Sequence, residues 1–178
     1  MSLDAPRPQV AAAPSFAAVA EELLDDVYGY LLYLTRDWAL AEDLTGETFE
    51  TALRRWGRFD PRRGTPRAWL LAIARSTALD RFRAEARRRR RELRAEAEQP
   101  REATDDQPRG EGFSPRLEEA LRALTAGERE VVALRVVLEL DGEETARLLG
   151  LTSTAVSTRL HRALAKLEER MRDHDLVA

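Results

Sequence analysis

Apolar residues recur along most of this chain at the three- and four-residue spacing of amphipathic α-helices. The first run has its apolar positions at Phe16, Val19, Leu23, Val27, Tyr30, Leu31 and Leu34. The second run places Leu40, Leu44, Leu53 and Trp56 on its predicted inner face. Side chains three and four residues apart share one face of a helix, so each run predicts a helix with a buried stripe. No segment with the two-residue alternation of a strand competes with these helices, and the pattern predicts an all-α protein.

Capping residues predict where several helices begin. Asp37 is a suitable N-cap for the second helix, because its carboxylate can accept from free backbone N–H groups. Thr65 followed by Pro66 predicts the start of a third helix, since proline at the first helical position loses no useful N–H. Thr125 and Glu128 form the pattern of a capping box, in which each side chain bonds the other residue's backbone N–H.

The last two helices are predicted to form a helix-turn-helix. Asp141 can cap a short helix that Gly150 ends, because glycine tolerates the left-handed turn after a helix. The final helix then begins at Thr152 or Ser153. Its predicted buried positions are Val156, Leu160, Leu164 and Leu167. A short helix, a glycine turn and a longer helix together are typical of DNA-binding proteins.

The outer face of the final helix carries side chains that suit a DNA groove. Thr158 and Arg162 lie nearly opposite the apolar stripe at 100° per residue. Arginine can bind guanine through two hydrogen bonds, and hydroxyl groups bind bases or phosphates. A solvated helix with several hydroxyl groups is the alternative interpretation. The candidate DNA-binding residues of this helix are Thr154, Ser157, Thr158, Arg159, His161 and Arg162.

The charge distribution divides the chain into two domains. Residues 81–94 contain eight arginines against two glutamates, a local charge of +6, and residues 95–111 contain six acids against two arginines, a local charge of -4. A charge reversal in a segment with Pro and Gly and few large apolar residues is typical of a domain end and a solvated linker. We therefore predict a disordered tail over residues 1–15, a domain over 16–94, a flexible acidic linker over 95–114 and a second domain over 115–174.

Composition narrows the function classes. The 178 residues are 43% hydrophobic and 34% charged, with a net charge of -3 and no cysteine. The missing thiols fit a reducing compartment, and no apolar run approaches the ~20 residues that cross a bilayer, so we expect a cytoplasmic protein without membrane insertion. His161 and His174 are the two histidines, and no phosphate-binding loop or cluster of metal ligands is present. We therefore expect no enzymatic activity, no cofactor and no metal.

Two stretches resemble the extracytoplasmic-function (ECF) sigma factors of bacterial RNA polymerase. EREVVALRVVLELDGEETARLLGLTSTAVSTRLHRAL, residues 128–164, is similar to their fourth region, which binds promoters. ALAEDLTGETFETALRRWGRFDPRRGTPRAWLLAIARSTALDRFR, residues 39–83, is similar to their second region. Both stretches stand in the family's order, so the pair is more specific than either one.

The resemblance implies a role for each domain. The second region would bind the clamp helices of the polymerase's largest subunit, open the duplex and capture an unpaired base of the -10 element. The fourth region would contact the polymerase flap and read the -35 element as duplex with the final helix. The matching polymerase-binding residues are Asp43, Leu44, Glu47, Thr48 and Phe49. The matching -10 residues are Arg67, Trp69, Arg75, Ser76, Asp80 and Arg83. The implied partners are core RNA polymerase, promoter DNA and an anti-sigma factor.

The residue types themselves suit binding to single-stranded DNA. Such binding needs a basic surface together with side chains that stack on bases, and Trp69 beside Arg67 and Arg75 supplies these types. A core anchor is the alternative role for Trp69. A stand-alone helix-turn-helix regulator is the alternative for the whole chain, but it would not need the stretch that resembles the second region.

Overall fold

The computed structural model describes residues 15–96 and 114–175, and these form seven α-helices with two irregular helical turns. The helices are α1 (Phe16–Thr35), α2 (Trp38–Arg55), α3 (Pro66–Glu96), α4 (Pro115–Arg122), α5 (Ala126–Val132), α6 (Gly142–Leu149) and α7 (Ser153–Asp175). A 3-10 turn, Trp56–Arg58, follows α2, and a π-helical turn, Ala133–Val137, follows α5. No strand occurs within 15–96 or 114–175, and the predicted all-α class is confirmed.

Two predicted segments fall largely outside these ranges. Of the predicted tail, residues 1–15, the structure describes Ser15 alone, and of the predicted linker, residues 95–114, it describes only the two ends. The disorder of the tail and the flexibility of the linker therefore stay predictions. The domain bounds also stay predictions.

The predicted caps form in the structure. Asp37 Oδ1 accepts from the backbone N–H of Leu40 at 3.0 Å, and Thr65 Oγ1 accepts from Ala68 at 3.1 Å. At Asp141 one carboxylate oxygen accepts from two successive backbone N–H groups, both at 2.8 Å. Each of these bonds satisfies a donor that has no partner inside its own helix, so local chemistry determines these helix starts.

The N-terminal helices α1, α2 and α3 pack against one another around a shared apolar core. Leu44 of α2 and Leu70 of α3 are fully buried, as is Tyr30 of α1. The other buried apolar residues of these helices are Val19, Leu23, Val27, Leu31, Ala41, Ala52, Leu71, Ile73, Ala74 and Ala78. The three-helix unit presents the outer faces of α2 and α3 to solvent.

Two leucines predicted to be buried are exposed. Leu53 is 59% exposed, because nine residues after Leu44 it falls about 180° away around α2. Leu164 is 38% exposed, since it lies about 80° from Val156 at the edge of the stripe of α7. Ala163, which the sequence analysis omitted, is fully buried instead. Both predictions were wrong because apolar character alone does not state which side of a helix meets the core.

The C-terminal helices pack directly on the N-terminal ones. α1 lies against α5 and the π-helical turn, and α3 lies against α6. One continuous cluster of buried side chains joins Val27 and Leu70 with Leu134 and Val156. A smaller cluster within the C-terminal helices contains Leu121, Leu124, Val132 and Ala163. The two halves of the described chain therefore share a core in this structure.

Candidate nucleic-acid interface

The turn before α7 sets the direction of the final helix. Gly150 adopts φ 66° and ψ 36°, a left-handed conformation that side chains disfavour. Leu151 then donates its backbone N–H to the carbonyl of Ala146 at 2.9 Å and closes the turn. Thr152 Oγ1 accepts from the N–H of Ala155 at 3.1 Å and caps α7. The helix-turn-helix geometry therefore follows from the left-handed Gly150 and two local hydrogen bonds.

The candidate residues of α7 share the side of the helix opposite the core. Val156 and Ala163 are at most 1% exposed and define the inner side. Arg159 is half-buried at one margin, and the other five candidates are exposed: Thr154, Ser157, Thr158, His161 and Arg162. A row of hydroxyl, imidazole and guanidinium groups is thus free to enter a DNA groove.

A shallow cleft of about 410 Å³ lies between α7 and the start of α5. Its lining consists of Thr125, Glu128, Ala155, Thr158, Arg159 and Arg162. The Arg159 guanidinium crosses close over Gly127, where an added Cβ would come within 3.0 Å of Nη1. Gly127 thus leaves the space through which Arg159 reaches the cleft. Two cationic side chains beside two hydroxyl groups suit a phosphate of the DNA backbone.

Glu128 connects the start of α5 to α7. Its carboxylate accepts from the backbone N–H of Thr125 at 2.8 Å, and Thr125 Oγ1 accepts from the N–H of Glu128 at 3.3 Å. Lys166 of α7 donates to both carboxylate oxygens at 2.8 Å. The Lys166 hydrogen bond holds the pKa of the Glu128 carboxyl below its usual value. The predicted capping box is confirmed, and its contact with Lys166 is an addition that the sequence did not indicate.

Helix α3 carries four of its six candidate DNA residues on one stripe. Trp69, Ser76, Asp80 and Arg83 fall within about 60° of one another around the helix axis. Ser76, Asp80 and Arg83 are exposed, and Arg83 Nη1 donates to Asp80 Oδ1 at 3.0 Å. This stripe continues into the exposed arginines near the end of α3. It combines hydrogen-bonding groups with positive charge, as a single strand of DNA requires.

Trp69 belongs to an aromatic cluster at the end of the stripe. Its ring meets Trp56 edge to face at 5.8 Å between centroids and meets Phe59 at 5.5 Å. Phe16 meets Trp56 at 5.4 Å and Phe49 at 6.5 Å. Trp69 is half-buried, so it serves the packing of this cluster and keeps part of its surface open to solvent.

The other two candidates on α3, Arg67 and Arg75, are paired with other parts of the chain. Arg67 Nε donates to Asp26 Oδ2 and its Nη2 donates to the carbonyl oxygen of Leu138, both at 2.6 Å. Arg75 Nε donates to Glu130 Oε1 at 2.8 Å. Sequence reasoning did not find these partners, because they lie 41 to 71 residues away along the chain. The structure therefore does not place all six candidates on one surface.

The candidate polymerase-binding residues separate into an exposed and a buried group. Asp43 and Glu47 are exposed one turn apart on α2, whereas Leu44 and Thr48 are fully buried. Thr48 Oγ1 donates to the carbonyl of Leu44 at 2.6 Å. Phe49 is half-buried in the aromatic cluster. In this structure Asp43 and Glu47 can contact a partner protein. The other three candidates pack inward and support α2.

The described ranges contain no helix long and apolar enough to cross a membrane. Across the same residues, no three His, Cys, Asp or Glu side chains come together in a way that could hold a metal ion.

Sequence comparisons agree with the two halves of the fold. A family model for Sigma-70 region 2 matches residues 19–88, and one for Sigma-70, region 4 matches residues 114–167. The chain is 33% identical over 171 residues to the ECF RNA polymerase sigma factor BldN of Streptomyces coelicolor, with 94% of this chain and 64% of BldN covered. It thus spans less than two thirds of BldN. It is 32% identical over 161 residues to the ECF RNA polymerase sigma factor SigK of a Mycobacterium species, strain JLS, with 89% of this chain and 78% of SigK covered.

Two solved structures have a similar fold. CnrH, solved in complex with the cytosolic domain of CnrY, is 27% identical, with a TM-score of 0.64 over 89% of this chain and 88% of CnrH. The sigma factor RpoE of Bartonella quintana, solved with the anti-sigma factor NepR, has a TM-score of 0.68 over 88% of this chain and 96% of RpoE. At 24% identity the second likeness concerns the fold alone.

Proposed function

Since the chain belongs to the ECF RNA polymerase sigma factors, we propose that it binds core RNA polymerase, directs it to a restricted set of promoters and assists the opening of the duplex. The observation that supports this proposal is that two separate helices each expose a surface whose side chains suit nucleic acid. The outer face of α7 suits duplex DNA, and the stripe of α3 suits an opened strand.

The region 4 helices would read the -35 element. Helix α7 would enter the major groove with Thr158, His161 and Arg162, which are all exposed. Arg159 and the cleft beside α5 would hold a backbone phosphate. Direct contacts to base edges determine sequence preference, and phosphate contacts determine orientation.

The region 2 helices would bind the -10 element as an opened strand. Ser76, Asp80 and Arg83 form the exposed part of the stripe, and half-buried Trp69 lies at its end. Holding an unstacked base costs a few kcal/mol, which binding energy must supply. Binding energy, and not a catalytic cycle, would therefore hold the opened strand, and we infer that the chain is not itself an enzyme.

Helix α2 would provide the polymerase contact. Asp43 and Glu47 stand on its exposed face, and buried Leu44 and Thr48 fix the helix beneath them. We infer that the polymerase clamp helices would meet this face. We infer that region 4 would in addition contact the polymerase flap.

A protein inhibitor is a further proposed partner. CnrH, which is 27% identical, was solved in complex with the cytosolic domain of CnrY, and this supports an anti-sigma partner for the present chain. We place the protein in the cytoplasm, because its proposed polymerase and promoter partners work there. A stand-alone regulator is disfavoured, because the region 2 match covers residues that such a protein would not need.

Transcription in vitro with purified core polymerase and a promoter library tests the proposal. We expect the full chain to produce promoter-specific transcripts and core polymerase alone to produce none above background. A variant with Arg162→Ala should change which -35 sequences are selected. Folded chain that neither binds core polymerase nor alters its promoter choice would refute the proposed function.

A further inference from the structure

Three polar groups meet where region 2 packs against region 4. The hydroxyl of Tyr30 on α1 donates to Glu130 Oε1 at 2.9 Å. Arg75 Nε on α3 donates to the same oxygen at 2.8 Å. Glu130 belongs to α5, so both of its partners lie in the other half of the chain.

This contact is shielded from water. Tyr30 is fully buried and Glu130 is only 8% exposed. Burial, followed by the nearby Glu130 charge, raises the pKa of the Tyr30 phenol, so the phenol keeps the proton that it donates. A buried carboxylate is costly unless it is paired and hydrogen-bonded. Glu130 is therefore stable in its position only while region 2 supplies the two donors.

A second polar contact crosses the same interface. Arg67 of α3 donates to the carbonyl oxygen of Leu138, which follows the π-helical turn of region 4. Arg67 and Arg75 are both candidate DNA residues, and both are occupied by region 4 in this structure. A carbonyl oxygen and a carboxylate of region 4 thus hold two arginines that lie away from the exposed stripe of α3.

The packed arrangement does not fit promoter binding. The -35 and -10 elements are about 25 base pairs apart by their names, which is about 85 Å at about 3.4 Å per base pair. A folded chain of this length has a radius of gyration of about 16 Å. Helices α3 and α7 cannot reach both elements while Tyr30 contacts Glu130. The two regions must separate before the proposed function can take place.

We propose that Glu130 is an intramolecular latch, which closes region 4 onto region 2 through Tyr30 and Arg75 until core polymerase separates the regions. That the open state is the one that binds polymerase and promoter rests on the proposed function. The closed state is a property of the free chain and can be tested without polymerase. The 17 residues between 96 and 114 extend to at most about 60 Å, so opening does not require either region to unfold.

The latch makes a quantitative prediction for binding. If only a small open fraction can bind polymerase, the apparent affinity is reduced by that fraction. Weakening the latch should therefore raise the open population and the polymerase affinity by the same factor. We expect about tenfold for Glu130→Gln, which removes the charge from the contact and keeps the size of the side chain.

The test measures the distance between the two regions in the full-length free chain. Because the chain contains no cysteine, cysteines introduced at exposed Glu22 and Glu169 can each carry one spin label for distance measurement by electron paramagnetic resonance. The variants are Glu130→Gln and Tyr30→Phe, which keeps the buried ring. Glu143→Gln is the matched control, because it removes one exposed carboxylate from the same region.

We expect a short distance in wild type and in Glu143→Gln, and a longer second population in Glu130→Gln and Tyr30→Phe. Polymerase affinity should rise in step. If Glu130→Gln does not fold, as judged by circular dichroism, Tyr30→Phe decides the outcome. A wild-type chain that is already open, or a folded latch variant with the wild-type distance, would overturn the latch. Closed wild-type chain that opens in the variants but never binds polymerase would instead refute the proposed function and leave the latch intact.

Discussion

Replacing Glu128 tests how the start of α5 stabilises α7. In the structure this carboxylate closes the capping box with Thr125 and also bonds Lys166 on α7. Glu128→Ala removes both contacts, whereas Glu128→Gln can keep the cap, because glutamine also serves in a capping box. The pair of variants therefore separates the cap from the charge.

The expected magnitudes follow from the exposure of the two partners. Loss of a cap costs about 1 kcal/mol, within a range of about 0.5–2 kcal/mol. The Lys166 side chain is 41% exposed and that of Glu128 is 9% exposed, so water screens the ion pair to about 0.2–1 kcal/mol. Glu128→Ala should thus lower the free energy of unfolding by about 2 kcal/mol, or Tm by about 4–8 °C. Glu128→Gln should lose only the smaller part.

The assay is chemical denaturation of the wild type, Glu128→Gln, Lys166→Met and the double variant at pH 7. The cycle gives the coupling energy of the pair, which we expect to be about 0.2–1 kcal/mol. The pKa of Glu128 is lowered in the folded chain. Its stabilisation is therefore present above its ordinary pKa of 4.5 and lost as the pH falls through the lower folded value. The stability curves of wild type and Glu128→Gln should accordingly converge as the pH falls below 4.5 and through the lower folded value.

Two results would refute this reasoning. One is a coupling energy of zero at pH 7, which would mean that the Lys166 contact contributes nothing in solution. The other is a difference between wild type and Glu128→Gln that persists undiminished at low pH, since a protonated carboxyl cannot form the ion pair. Affinity for duplex -35 DNA, measured on the same variants, reports whether loosening α5 also disturbs α7.

Three further predictions concern the two regions. Arg162→Ala should cost about 1–3 kcal/mol of discrimination at the base that Arg162 reads, and polymerase binding should not change. Binding to a set of -35 duplexes measures this loss. An equal loss on every sequence would indicate a phosphate contact instead. Gly150→Ala should destabilise the chain by about 1–2 kcal/mol in thermal unfolding, because Gly150 has a φ of 66°. Gly142→Ala is the control and should be nearly neutral, because Gly142 starts a helix with an ordinary φ and has open space around it. Charge reversal by Asp43→Lys with Glu47→Lys should weaken binding to core polymerase at least tenfold in a pull-down titration. Tm should stay within a few degrees of wild type, since both side chains are exposed. Unchanged polymerase binding would show that these two residues do not contact the polymerase.

The candidate DNA face of α7 could be predicted from the sequence because a single helix contains both its inner and outer residues. Val156 defines the inner side, and Thr158 and Arg162 then lie opposite it by helix geometry alone. On α3 the family resemblance, and not helix geometry, placed Ser76, Asp80 and Arg83 in the candidate set, and it could not separate them from Arg67 and Arg75. Those two arginines have partners in distant segments, which no local pattern indicates.

The sequence by itself determined the local features of this protein: the helical class, the starts of the helices and the glycine turn. These features depend on groups within about four residues of one another, such as Asp37 with Leu40 or Thr125 with Glu128. The tertiary structure alone decided that region 4 closes on region 2. Tyr30 and Glu130 are 100 residues apart, and their contact exists because folding buries a carboxylate that only distant donors can satisfy.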